Sequence, residues 1–365
     1  MRVVVAIDGF KGSLLPREAA DAVVAGVMSA QPDAQVVTVP LSDGGEGFVE
    51  AFLAAGFAEV PAACSGPTGE PVVTRWAHRD GVAVVELADA CGLGRLPGGV
   101  LAGMDASSEG LGEVLAAVLD AGIREIVVGI GGSASTDGVA GMITALGARL
   151  LDLGGEPVRP GLRGLADLWS LEVSDVRQDI AEADITIASD VTNPLLGASG
   201  AAAVFGPQKG LTSDDIAAAD ARLAHLADLV EAFEVYRDVR GAGAAGGVGW
   251  ALLALGGVMR PGVEVALELG GFDAVVAGAD LVITGEGRLD AQSLQGKAPI
   301  GVARAARRAG VPVVAICGRT TLDAATLASA GFARVIALTE LEPDPDACMA
   351  RASELVEQAA AALLV

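Results

Sequence analysis

The stretch RVVVAIDGFKGS (residues 2–13) opens with apolar, mostly β-branched residues and closes on a glycine-rich polar turn. A short unbroken apolar run bounded by such a turn reads as a strand buried on both faces, which places it in a parallel sheet covered by helices. A helical pattern follows from about Pro16 to Ala30. The same order of strand, turn and helix recurs in QVVTVPL (35–41), with a helix expected over Gly47–Ala55. It returns at the far end in DLVIT (280–284), VPVVAIC (311–317) and RVIALT (334–339), with helices expected over Pro299–Ala309, Leu322–Ala330 and Asp346–Leu364. These five strands are predicted to share one mainly parallel, doubly wound sheet.

The middle of the chain is less regular. Val72–Trp76 and Val82–Leu87 read as an antiparallel hairpin, and Ile123–Ile130 and Asp184–Ala188 as two further strands. SGPTGEP (65–71) marks a crossing out of the first domain, and the Gly- and Pro-rich stretch 256–271 marks the return. The fold expected is therefore α/β with two domains. A flavodoxin- or Rossmann-like domain from residues 1–65 and 271–365 would carry an inserted mixed α/β domain, 66–270.

Composition agrees with a folded enzyme-sized chain of 365 residues, 52% apolar and 19% charged, with 50 glycines. Aromatics are only 3%, so the core must be built from Ala, Val and Leu. The net charge of −23 argues against nucleic acid or an acidic membrane as partner. Cys64, Cys91, Cys317 and Cys348 lie far apart, and with His78 and His225 they make no zinc pattern. Reduced thiols in a cytoplasmic protein are expected. MRVVVAID is too short for a signal sequence. The uncharged stretch 241–259 holds seven glycines and reads as a loop leading into a short buried helix, not as a membrane span.

Only three of the 24 basic residues are lysines: Lys11, Lys209 and Lys297, each in a glycine-rich turn. A compact ammonium beside exposed backbone N–H groups suits phosphate. Ligands of open parallel sheets bind outside the carboxyl ends of the strands. Those ends carry DGFKGS (8–13), SDGGEG (42–47), GGSASTD (131–137), DVTN (190–193) and GEGRLD (285–290). Each pairs glycines with hydroxyls or carboxylates, a mixture suited to phosphate oxygens and Mg²⁺. Neither GxxxxGK[ST] nor GxSxG occurs. GxGxxG does, at Gly241–Gly246, but it follows the charged YRDVR (236–240), where a dinucleotide fingerprint needs a buried strand.

Several longer motifs point to one family. IGGSASTDGVAGMITALGARLLD (130–152), DVTNPLLG (190–197), VFGPQKG (204–210), GAAGGVG (243–249) and ITGEGRLDAQSLQGKAP (283–299) resemble the bacterial class I glycerate kinases, as do DGFKGSL (8–14) and SDGGEG. The resemblance runs essentially end to end. It implies ATP-dependent phosphorylation of D-glycerate, on the 2-hydroxyl, with Mg²⁺, in a two-domain α/β protein with its site in the cleft between domains. The sequence departs from the family pattern at Thr136 and Val139, where Asn and Gly are expected.

Phosphoryl transfer needs positioning, charge neutralisation and a carboxylate near the attacking hydroxyl. Lys11, Lys209 and Lys297 are assigned to phosphate oxygens, with Gly131, Gly132, Ser133, Gly246 and Gly247 cradling the nucleotide. Asp190, Asn193 and Glu286 are the candidate Mg²⁺ ligands. Arg288 would pair with the glycerate carboxylate, Ser13 and Asp290 would be further substrate-binding residues, and Asp43 or Asp8 would accept the substrate proton. Each also has a plain structural reading: Asp190 as a turn cap, Arg288 as a surface side chain, Asp43 as the start of a Gly-Gly turn. Two other functions use the same features. A nicotinamide-dependent hydroxy-acid dehydrogenase would rest on Gly241–Gly246, and a non-catalytic sugar-acid-binding protein would bind without turnover. Homo-oligomer formation is left open.

Overall fold

The computed structural model describes residues 1–10, 12–229 and 231–364. In chain order its strands are β1 (Arg2–Ile7), β2 (Gln35–Thr38), β3 (Ala58–Ser65), β4 (Pro71–Arg79), β5 (Val82–Glu86), β6 (Glu125–Gly129), β7 (Arg149–Leu151), β8 (Ser170–Glu172), β9 (Asp184–Ala188), β10 (Val258–Arg260), β11 (Leu281–Leu289), β12 (Val313–Thr320) and β13 (Phe332–Ala337). The chain divides into two compact units, one from Met1–Asp43 with Val263–Val365, the other Gly44–Gly262.

The unit built from both chain ends holds a five-stranded sheet in the order β13-β12-β11-β1-β2, parallel throughout. The expected sharing of one sheet by these five strands is what the structure has. Alternate side chains of β1 enter two different cores: Val4 and Ala6 pack with the helix Ala298–Arg308, while Val3, Val5 and Ile7 pack with Pro16–Ala30 and Ala352–Ala362. The latter two helices cross closely at Gly26, where a Cβ would stand 2.2 Å from the Glu357 carbonyl oxygen. The single helix expected over 346–364 is two, Pro345–Ala350 and Ala352–Ala362, because Arg351 leaves helical geometry at φ −107°, ψ 17°.

The other unit holds a mixed sheet, β10-β9-β6-β5-β4-β3, and a small antiparallel pair, β7-β8. Strands β3, β4 and β5 pair antiparallel, and β5, β6, β9 and β10 parallel. The hairpin turns on Asp80 (φ 52°) and Gly81 (φ 88°), the two left-handed residues that a tight two-residue turn requires. The boundaries differ from those expected at 65/66 and 270/271. The run AEVPAACS forms β3 and pairs along its whole length with β4, so residues 44–65 belong with the second unit. Pro61 disguises this strand in the sequence, and proline is tolerated there because β3 is an edge. At the return, Val263 and Leu267 already sit in the core of the first unit. The uncharged stretch 241–259 is a glycine turn followed by the buried helix Val248–Ala254. Among the described residues no helix is long and apolar enough to cross a membrane.

Candidate active site

In the first unit the chemistry gathers where β1 and β11 end. Asp8 follows β1, and its N–H donates to the Gly285 carbonyl at 3.0 Å, fixing it beside β11. Strand β11 does not stop at Thr284 as the glycines suggest. It continues to Leu289 because Glu286, Arg288 and Leu289 stay paired with β12. Gly285 is there for a close approach, since a Cβ would lie 1.9 Å from the Ile316 oxygen. Glu286 is consequently buried, at 6% exposure, with Oε1 lacking any hydrogen-bond partner among the described residues and Oε2 3.9 Å from Lys297 Nζ. Burial pushes its carboxyl above the usual range, and Asp290 and Asp43 add to this, against Ser293 and Lys297.

Asp8 is half-buried. Burial first, then the charge of Asp43, raise its carboxyl to about 7, although the Gly9 N–H at 2.7 Å and Lys297 pull the other way. Lys297 is 42% exposed and precedes the helix Ala298–Arg308. Exposed Arg288 gives its Nε to Asp290 Oδ2 at 2.8 Å. Burial opposes ionisation of Asp290, but the N–H groups of Gln292 and Ser293 and the Arg288 charge hold it below the usual range. The structure thus brings Asp8, Asp43, Glu286, Asp290 and Lys297 into one electrostatic group. Ser13 makes a local turn, its hydroxyl donating to the Phe10 carbonyl at 3.0 Å. Lys11 lies outside the described residues.

In the second unit, β6 delivers the loop 131–138. A cavity of about 120 Å³ opens beside it, lined by Gly131, Gly132, Ser133, Ser189, Gln208 and Lys209 among others. Lys209 is almost wholly buried, at 2% exposure. Its ammonium donates to Ser133 Oγ at 2.7 Å and to the Ser135 carbonyl at 2.5 Å. Desolvation lowers its pKa to about 8, against the favourable charge of Asp137. Asp137 is fully buried, and its Oδ2 accepts from Ser108 N, Ser108 Oγ and Gly141 N. Gly246 and Gly247 pack against this loop: Cβ atoms on them would lie 2.3 Å from the Ser135 oxygen and 2.6 Å from Gly138 Cα. Gly138 N donates to the Gly246 carbonyl. Ala244 and Ala245, not these glycines, line the cavity.

Asp190 and Asn193 follow β9. Asp190 is exposed, and Asn193 gives its amide to the Ser199 carbonyl at 2.8 Å. Thr136, the first departure from the family pattern, is fully buried, and its hydroxyl has no hydrogen-bond partner among the described residues. Val139, the second, has φ 142°.

Sequence reasoning missed Glu86. It ends β5, is 5% exposed, and takes the N–H groups of Gly47 at 3.0 Å and Val49 at 2.9 Å, clamping the SDGGEG turn. Burial raises its carboxyl to about 7 against those two hydrogen bonds. A carboxylate closing an apolar run was the available signal.

A parallel α/β sheet with lysine and carboxylates at its strand ends, and a glycine–serine loop over a cavity, is the equipment of a phosphotransferase. Comparison with known proteins specifies which. Residues 3–365 match the glycerate kinase family. The glycerate 2-kinase of Escherichia coli K12 is 42% identical over 344 residues, covering 93% of this chain and 90% of that one. The glycerate kinase of Bacillus subtilis 168 is 41% identical, covering 88% and 86%. A crystal structure assigned to glycerate kinase 2 from Salmonella typhimurium LT2 superposes with a TM-score of 0.81 at 39% identity, covering all of this chain and 97% of that one. The chain belongs to the glycerate kinase family.

Proposed function

We propose that this protein transfers the γ-phosphoryl group of ATP to the 2-hydroxyl of D-glycerate, giving 2-phospho-D-glycerate and ADP. The observation that carries the chemistry is Asp8, a carboxyl raised to about 7 within a group that also holds Asp43, Glu286 and Lys297. The attacking hydroxyl gives up its proton as the P–O bond forms, and a base works best with a pKa near the working pH. Asp8 meets that condition, with exposed Asp43 as the alternative acceptor. Lys297, with Lys11, neutralises phosphate oxygens. Arg288 binds the glycerate carboxylate through its terminal NH₂ groups while Nε stays on Asp290. The loop 131–133 receives the nucleotide phosphates.

The candidate oxygen donors for Mg²⁺ are Asp190 and Asn193 in the second unit and, separately, Glu286 in the first. Among the described residues no three His, Cys, Asp or Glu side chains cluster so as to hold a metal by themselves. That donor set suits Mg²⁺, which is commonly bound by one or two carboxylates together with substrate phosphates and water. The unpartnered Glu286 Oε1 is a hard oxygen of the required kind. When bound, the ion would neutralise phosphate charge. Four buried, unpaired cysteines support a cytoplasmic setting.

³¹P NMR of a reaction with D-glycerate and MgATP tests this reading. A new 2-phosphoglycerate resonance with stoichiometric ADP is expected. A 3-phosphoglycerate resonance overturns the regiochemistry, and no phosphorylated acid overturns the activity.

A further inference from the structure

Lys209 is read from sequence as a phosphate contact, yet its ammonium is enclosed and committed to two oxygens of one loop, Ser133 Oγ and the Ser135 carbonyl. An ammonium only donates, so Ser133 Oγ must accept from it, and the single hydroxyl hydrogen of Ser133 is turned away from Nζ. Among the described residues that hydrogen has no acceptor. The Gly132 N–H has no acceptor among them either, while the Gly132 carbonyl is held by Leu93 N at 2.9 Å. Gly132 has φ 71°, and residues 131–133 line the cavity. One N–H group and one oriented hydroxyl beside a cavity form an anion-receiving nest.

We propose that Lys209 is a positioning residue. Its ammonium fixes Ser133 as an obligate donor and shapes the 131–133 nest for a terminal phosphate oxygen of the nucleotide, without touching that phosphate. Asp137, buried and pinned by Ser108 and Gly141, supplies the counter-charge that keeps the ammonium inside the fold. This rests on the kinase reading above and changes the role of Lys209 within it.

A double-mutant cycle on ADP affinity tests the proposal, because a residue acting through Ser133 has little left to lose once Ser133 is gone. Calorimetric titration with ADP should show Lys209→Met and Ser133→Ala each weakening binding by about tenfold, the value of one good hydrogen bond to a charged group. The double variant should lie within about threefold of the weaker single variant. The KM for glycerate should hold within about twofold in Lys209→Met, a selectivity that a general loss of structure would not give. Multiplying losses, about 100-fold in the double variant, would mean that Lys209 touches phosphate directly and would overturn the proposal. So would unchanged ADP affinity in Lys209→Met. If that variant does not fold, Lys209→Met with Asp137→Asn removes charge and counter-charge together, and the cycle is repeated on that background. Unmodified protein that binds ADP but yields no phosphoglycerate refutes the kinase reading alone. Unmodified protein that does not bind ADP refutes both.

Discussion

Val139 offers a test of how the 131–138 loop is held. It has φ 142°, ψ −3°, a region sterically hostile to a β-branched residue, and it is 1% exposed. The backbone is pinned on both sides. Gly138 N bonds the Gly246 carbonyl, Asp137 Oδ2 takes Gly141 N, and Ile143 N closes on the Val139 carbonyl at 3.0 Å. Such conformations cost about 1–3 kcal/mol and persist only where the surroundings impose them. Val139→Ala keeps the steric penalty and strips two buried methyls, a loss of about 1.5 kcal/mol before any cavity is counted. Val139→Gly strips one carbon more, about 0.8 kcal/mol, and adds about 0.5–1 kcal/mol of unfolded-state entropy, but it removes the penalty. At an ordinary position glycine would therefore be the less stable by about 1.5 kcal/mol. Here, with a penalty near the upper limit of about 3 kcal/mol, it should be the more stable by about 1.5 kcal/mol. All three tryptophans, Trp76, Trp169 and Trp250, lie in the unit 44–262, so tryptophan emission follows the relevant transition. The glycine variant should melt about 3–6 °C above the alanine variant. An alanine variant melting above the glycine variant would refute the claim of strain.

Three further outcomes test the active-site reading. Asp8→Asn should lower kcat by about 10²-fold or more, the usual worth of a general base. Because burial lifts Asp8 from 3.8 to about 7, the unfolded chain releases this proton before the folded one does, so native stability falls as pH rises between those values. Asp8→Asn should accordingly melt higher than the parent at pH 8 and no higher at pH 4; the reverse order in thermal melts would contradict the assignment. Lys297→Ala should cost on the order of 10²-fold in kcat with little change in melting, since the side chain is 42% exposed; near-normal turnover would return it to the surface. Asp190→Asn should shift a Mg²⁺ titration of turnover to higher concentration without unfolding the protein, and an unmoved titration would remove it as a ligand.

The parallel sheet of the first unit was legible because Val3–Ile7 of β1, Leu281–Ile283 of β11 and Val313–Cys317 of β12 are unbroken apolar runs, buried on both faces. Strand β3 was not, since Pro61 and alternating exposure are what an edge strand permits and what a sequence reader takes for a turn. The end of β11 was misplaced for a related reason. Gly285 and Gly287 look like punctuation, yet Gly285 is required because the neighbouring backbone approaches closely there, at the Ile316 carbonyl, and Gly287 places its own carbonyl where a Cβ on Gly318 would stand. Glu286 therefore sits inside a strand and is buried, which the turn reading could not have shown. The same ambiguity covers GAAGGVG, whose Gly246 and Gly247 serve packing between two loops. Glycine records that a Cβ does not fit; it does not record whether the excluding atom belongs to ligand or to protein.

The lysines carry the same lesson into electrostatics. Retaining lysine where arginine prevails marks a need for a compact ammonium, but two different environments create that need. Lys297 keeps much of its hydration and stands near Glu286, so its charge can be lent to an arriving anion. Lys209 is drawn inside the protein, where two oxygens and the charge of Asp137 compensate only part of its desolvation, and its pKa falls to about 8. A guanidinium would bring five donors into a space offering two acceptors, leaving buried N–H groups unsatisfied. Lysine at 209 is thus explained by the number of acceptors inside the fold, whereas at 297 the proposed explanation is the anion the site would bind. Sequence spacing is alike in the two cases because both lysines adjoin glycine, and only burial separates them.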